Sequence, residues 1–322
     1  MNAIRNFLFY LKFHPAIKNI DEANIVIGFS EKYSGLISEM VAFNTLAGLN
    51  YKFTPYNLEK EKKERLMHAI DEECDLFLLF YDSSTLKNPT PHGPEYIYAI
   101  NPVIKKNWKK SVLFKDYGQF FNEAFMIDPE RIANINNKLI QIAHASTQLK
   151  FTDNNGSHLT AKLSAAEQKW TNINGIGNLD IVPGEIATHS DEINGKVYFS
   201  GAFLSTIPFA IKYGVIEQPL ELHIEDSEIK FVGSENSDLK RDFNKYLSMN
   251  SSNRRIEELG IGTNEGVIQL HGRNAGFEER HCGLHLGLGG GAMGSHHLDL
   301  IFSSGSINFD KTQVFGGKSY LV

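Results

Sequence analysis

The period of the hydrophobic pattern changes near residue 145, and that change constrains the fold of this chain more than any other feature. Before it, strand-like and helix-like stretches alternate. Ile25-Val26-Ile27-Gly28-Phe29 is a short apolar run of the kind buried in a parallel sheet. A helical stripe through Leu36, Met40, Phe43 and Leu46 follows and stops at Gly48, a good C-cap residue. Tyr51–Thr54 alternates as a strand, Leu58–Ile70 reads as a charged helix, and Asp75–Phe80 is a second buried strand. Ser111–Phe114 supplies a fourth, and Asp128-Pro129 opens a helix with Asp as N-cap and Pro at the first helical position. The order predicts a doubly wound α/β domain over residues 1–146.

From about residue 147 to 322 the chain reads as short strands broken by turns, at Asp153–Gly156, Glu192–Gly195 and Glu225–Glu228. Helices are expected over Asp238–Leu247 and around Phe277–Leu288. This half is a β-rich α+β domain, and the fold class as a whole is α/β.

Composition narrows the function classes. The formal charge is -6 in 322 residues, with 22% charged and 42% hydrophobic. No global basic field is present to hold nucleic acid. The cluster Lys105, Lys106, Lys109 and Lys110 is local and reads as a solvated helix face. No run is apolar enough for a membrane span. Phe7–Leu11 is interrupted by Lys12 and lacks a small-residue cleavage site, so it reads as an amphipathic helix packed on the body. Cys74 and Cys282 form no disulfide framework, and a reducing, cytoplasmic location is expected.

Five of the 12 histidines lie between His271 and His297. His297-Leu298-Asp299 enters an apolar strand, so His297 and Asp299 share a face while Leu298 and Leu300 face the core. Alone, His-x-Asp is equally well explained by a hydrogen-bonded surface strand. Upstream, His281 and His285 are four apart and on a helix would face one site. Imidazoles with carboxylates suit zinc, cobalt, manganese or iron. Gly287–Gly294 lacks the strand and βαβ context of a phosphate-cradling loop, and its glycines fit a close backbone approach instead. His189 reads equally well as a cleft-lining or a loop histidine, His296 and Cys282 read as structural and buried small residues, and Glu257 as solvated.

Taken together, Pro183-Gly184-Glu185, Glu258-Leu259-Gly260-Ile261-Gly262, His285-Leu286-Gly287-Leu288-Gly289 and His297-Leu298-Asp299 resemble, in order, four motifs of the thermophilic metallo-aminopeptidases of the aminopeptidase T type. The resemblance implies a metal set of Glu185, Glu258, His285, His297 and Asp299, with Glu185 and Glu258 also serving catalysis. It implies one or two divalent ions (zinc, cobalt or manganese) and removal of N-terminal residues from peptides by a metal-bound hydroxide. By the same resemblance the chain is a homodimer with a peptide or small-molecule substrate. Where the family carries a tyrosine, seven residues after the motif histidine, this chain has Ala292. The same superfamily contains dihydroxypyridine ring-cleaving dioxygenases with one ferrous ion, and a non-catalytic peptide-binding relative is the third alternative.

Overall fold

The computed structural model describes residues 2–81, 93–117, 120–205 and 209–322. Contacts divide it into two compact units, residues 1–128 with 173–183, and residues 129–172 with 184–322.

The first unit contains β1 (Asn24–Phe29), β2 (Lys52–Asn57), β3 (Leu76–Tyr81) and β4 (Ser111–Lys115), in the sheet order β2-β1-β3-β4. Every pairing is parallel, and Ile25–Phe29 lies directly against Leu76–Phe80 as the sequence pattern predicts. Helices α1 (Asn2–Lys12), α2 (Ser34–Leu46), α3 (Lys63–His68), α4 (Gly93–Lys106) and α5 (Phe121–Phe125) belong to this unit. Phe7 of α1 is fully buried and meets Phe114 edge-to-face at 5.7 Å, while Phe80 and Phe114 stack at 4.4 Å. The N-terminal apolar run is therefore a packed helix, as expected. The charged helix starts later than its sequence suggests. Asn57 accepts a hydrogen bond from the Glu59 backbone N–H at 2.9 Å, an Asx turn that occupies the residues before Lys63. Two of the four clustered lysines have internal work: Lys106 pairs with Asp71 at 2.7 Å and Lys110 donates to the Cys74 carbonyl at 3.0 Å.

The second unit begins with α6 (Pro129–His144), opened by Pro129 as predicted. It continues through β5 (Gln148–Thr152), β6 (His158–Lys162), β7 (Thr171–Ile173), β8 (Glu185–Thr188), β9 (Ile193–Ser205), α7 (Phe209–Tyr213), β10 (Val215–Glu225), β11 (Glu228–Gly233) and α8 (Ser237–Met249). It closes with β12 (Ile256–Gly262), β13 (Gly283–Leu288), β14 (Leu298–Phe302), β15 (Ser306–Phe309), β16 (Thr312–Gly316) and β17 (Ser319–Tyr320). Among the described residues these strands make one 13-stranded sheet, whose path includes β9-β14-β13-β12-β8. The contacts within it that define the site are antiparallel.

Two local expectations are corrected here. Glu192–Gly195 is not a turn: Ile193 to Gly195 open the long strand β9, with Gly195 opposite Leu159 on one side and Ile224 on the other. The stretch Phe277–Leu288 is not a helix. Gly276–Arg280 forms a 3-10 turn and Gly283–Leu288 is a strand buried between β12 and β14. The Glu278 carboxylate, 1% exposed, fixes the turn by accepting the backbone N–H groups of His271, Gly272 and Arg273 at 2.7, 2.8 and 2.7 Å. A continued helix would forfeit both that cage and the two strand pairings.

One face of the sheet is apolar. Ile186, Leu259, Ile261, Leu284, Leu286, Leu288, Leu298 and Leu300 all join a single core cluster. Each side chain of this kind contributes about 1.5–3 kcal/mol by leaving water. Because side chains alternate along a strand, this burial forces the intervening residues to the opposite face. Those are the candidate site residues.

No described helix is long and apolar enough to cross a membrane.

Candidate metal centre

The register of β8, β12, β13 and β14 arranges the site in rows across the sheet. One row runs Ala187, Gly260, His285, Ile301, and the next runs Glu258, Gly287, Asp299. Glu185 stands opposite Gly262 at the start of β8. In each of the first two rows a glycine stands next to the functional side chains, Gly260 beside His285 and Gly287 between Glu258 and Asp299. Neighbouring strands lie only about 4.7–4.9 Å apart, so a side chain at the glycine would fill the space into which its neighbours lean. A Cβ on Gly260 would lie 1.9 Å from His285 Nε2. One on Gly287 would lie 2.8 Å from Glu258 Cβ, 2.9 Å from His297 Cε1 and 3.0 Å from Asp299 Oδ1. The glycines make the floor on which the polar groups meet.

Three of the five sequence-predicted residues come together as a group. One ligand atom each from Glu185, Glu258 and His285 lies within 4.8 Å of the others. His285 Nε2 is 3.3 Å from Glu258 Oε1 and 3.5 Å from Glu185 Oε1. Ligand atoms held tetrahedrally around an ion at about 2.1 Å are roughly 3.4 Å apart, so this spacing fits a divalent cation between them. The donor set, two carboxylates and one imidazole, suits zinc or manganese chemistry. His285 and Glu185 are 0% and 3% exposed, whereas the Glu258 side chain is 36% exposed. Burial pushes the Glu258 carboxyl up, but the hydrogen bond from His285 and the charges of His285 and His297 outweigh it and hold the group below its ordinary value.

The other two form an ion pair beside this group. His297 Nε2 lies 2.8 Å from Asp299 Oδ1. The bond to Asp299 is the main reason the His297 imidazole is pushed up to about 9, against the opposing effect of burial, with the charges of Asp299 and Glu258 adding to it. Gly287 separates the pair from Glu258.

The backbone under Glu185 is braced from α6. Asn136, fully buried, donates to the Glu185 carbonyl at 3.0 Å and accepts from the Thr263 hydroxyl. Thr263 N–H in turn donates to the Gly184 carbonyl at 2.7 Å. At the far end of β13, the Tyr246 hydroxyl reaches the carbonyls of Leu288 at 3.2 Å and His296 at 2.8 Å, pinning both ends of the glycine-rich loop.

Other residues weighed from the sequence lie elsewhere. His281 precedes β13, across Gly283 with its φ of 128°, and is not part of the group that His285 forms with Glu185 and Glu258. It lines a cavity of about 440 Å³ with Cys282, Glu265 and Phe315. Desolvation first, then the charges of Lys318, His271 and His285, lower its pKa to about 4. The Cys282 thiol is buried and pushed up to about 12, chiefly by burial. His189 is held by the Glu257 carbonyl at 3.0 Å and by Asp191 at 3.1 Å. Glu257 pairs with Arg255 at 3.5 Å.

One residue was missed. Arg280, 1% exposed, forms an ion pair with Glu185 and a second with Glu279 at 3.1 Å. Its only sequence signal is its position beside two acids in Glu278-Glu279-Arg280, which reads equally well as surface charge.

Residues 212–310 match the family model described as crocagin biosynthetic protein CgnE/B, a stretch that contains Glu258, His285, His297 and Asp299 but not Glu185. No curated protein matches the chain in sequence. Two solved structures match it along its whole length. Wild-type AmpT from Thermus thermophilus superposes with a TM-score of 0.61 at 13% identity, covering 100% of this chain and 99% of that one. The 2,5-dihydroxypyridine dioxygenase from Pseudomonas putida KT2440 superposes with a TM-score of 0.60 at 15% identity, covering 99% of this chain and 97% of that one.

The chain has the fold of both enzymes. The resemblance read from four short motifs therefore holds for the architecture. A shared fold does not carry a reaction with it.

Proposed function

We propose that this protein is a metal-dependent hydrolase that removes N-terminal residues from peptides. The observation that supports this reading is the convergence of Glu185, Glu258 and His285 at ligand spacing. A divalent cation held there supplies Lewis acidity, polarising a carbonyl and lowering the pKa of water. The protein's own groups then divide the remaining work. Glu185 and His285 are buried and rigidly placed, and they hold. Glu258 reaches solvent, carries its charge at neutral pH, and is the group able to accept a proton from water and return it to the leaving amine. The protonated His297, kept charged by Asp299, adds positive charge at the rim of the site, where it favours negative charge developing on a substrate oxygen.

Two carboxylates with one imidazole favour this chemistry over ring cleavage, which uses two imidazoles and one carboxylate on iron. In the dioxygenase reading the ligands are His285, His297 and Asp299, and the His297–Asp299 ion pair has to be broken to form that set. The likeness to crocagin biosynthetic proteins supports a substrate within a biosynthetic route.

A second reading, peptide binding without turnover, is favoured by two observations: Arg280 already neutralises Glu185, and Ala292 offers no phenol. One assay separates the two. Protein loaded with Zn2+, Co2+ or Mn2+ is incubated with aminoacyl amides and short peptides, and released amino acids are measured. Release that stops with EDTA supports the hydrolase. Peptide affinity that survives EDTA, with no release from any member of the panel, assigns the binding role and ends the hydrolase reading.

A further inference from the structure

We propose that Arg280 restricts this centre to a single divalent ion, held by Glu185, Glu258 and His285, with the guanidinium acting as a built-in second positive charge. The inference rests on the metal-binding part of the function proposed above, and not on the reaction assigned there.

Arg280 is the most deeply buried cation beside the site, and a guanidinium at 1% exposure persists only if carboxylates compensate it. Glu185 and Glu279 do so. Its position is not adjustable, because the 3-10 turn Gly276–Arg280 that carries it is anchored through the Glu278 carboxylate to three backbone N–H groups. Arg280 therefore holds one oxygen of Glu185, Oε2, and leaves Oε1 facing His285. Glu185 is left able to bind an ion through one oxygen only.

Charge balance leads to the same conclusion. The carboxylates in and beside the centre are Glu185, Glu258, Asp299 and Glu279, four negative charges, and Arg280 and the His297 paired with Asp299 contribute two positive charges. One dication brings that set to neutrality; a second leaves it two charges positive among groups that are mostly buried. The ligands available to a second ion are His297 and Asp299, which already satisfy each other at 2.8 Å. Each further ion needs about three protein ligands. A second ion would thus have to take Glu258 from the first group and separate the pair.

The test is the stoichiometry and ligand dependence of Zn2+ binding to the full chain, read by native mass spectrometry and calorimetry. One ion per chain is expected. That ion should be lost, with affinity falling at least a hundredfold, in Glu185→Gln and in His285→Ala, and kept within about threefold in His297→Ala. Arg280→Met, which removes a like charge, should bind the first ion at least tenfold more tightly. Should Arg280→Met fail to fold, the contrast between His285→Ala and His297→Ala still decides. Two ions per chain, or loss of the ion in His297→Ala, overturns the inference while leaving a metal centre in place. No ion at all overturns the metal reading together with it.

Discussion

Gly260 and His285 face each other across the β12–β13 pair, and the imidazole occupies the space that any side chain at position 260 would need. His285 is thus aimed at Glu185 and Glu258 by a missing Cβ as much as by any hydrogen bond. Its Nδ1 is buried and has no hydrogen-bond partner among the described residues, so the polar contacts that orient the ring come from the carboxylate side.

Adding that Cβ back is a direct check. Gly260→Ala places a carbon 1.9 Å from Nε2, so the ring must swing away. Overpacking of this kind costs about 1–3 kcal/mol. Zn2+ affinity should fall more than tenfold while the far-ultraviolet circular dichroism stays that of the parent. Unchanged affinity in a folded Gly260→Ala protein would falsify the placement of His285.

Neighbouring acids should separate cleanly. Glu258 belongs to the site face and Glu257 pairs with Arg255 outside it. If the protein is a hydrolase, Glu258→Gln should lower kcat by about 10²- to 10⁴-fold, the range for losing a general base. Glu257→Ala should change kcat less than about twofold. Equal losses in both variants would remove Glu258 from its assigned role.

Tyr246→Phe deletes one hydroxyl that serves two carbonyls, at Leu288 and His296. A loss of about 1–2 kcal/mol in urea unfolding is expected, the ordinary range for a buried hydrogen bond. Amide exchange over residues 289–296 should accelerate more than in β13 itself. Uniform acceleration across the sheet would mean the hydroxyl supports the core and not the loop.

Acid stability should carry the mark of His281. Its pKa is lowered to about 4 in the folded chain from an ordinary 6.5. Between those values the unfolded chain takes up a proton that the folded chain refuses. Stability is therefore full above about pH 6.5, declines as the pH falls toward 4, and loses no more from this group below that. The total is at most about 3 kcal/mol. In metal-free protein, His281→Gln should flatten this part of the stability profile. Parallel profiles for the two proteins would exclude the assignment.

Much of this site was legible from the chain because strand alternation is a strict rule. Leu298 and Leu300 pointing inward puts Asp299 and the preceding His297 on the other face, and the structure agrees. The same reasoning failed at His285. Gly283–Leu288 alternates Leu284, Leu286 and Leu288 with glycine and His285, but glycines leave the second face almost unmarked, and the spacing of His281 from His285 imitates a helical turn. Only the hydrogen bonds to β12 and β14 identify it as a strand, and those partners lie 20 or more residues away for β12 and on the far side of a loop for β14. Arg280 was illegible for a different reason. A buried guanidinium looks like any surface arginine until the carboxylate that compensates it is known, and Glu185 is distant in sequence. The parallel sheet was easier, since Ile25–Phe29 and Leu76–Phe80 are short, wholly apolar and separated by helical stretches.

The chain passes between its two compact units three times, after Asp128, after Asn172 and after Pro183. Neither unit is a continuous piece of the gene. A single cut after Asp128 would carry the whole second unit, but it would take residues 173–183 of the first unit along with it. The piece 129–322 would therefore hold an eleven-residue segment stripped of the unit it packs in, so the two units cannot be parted cleanly at any one point of the chain.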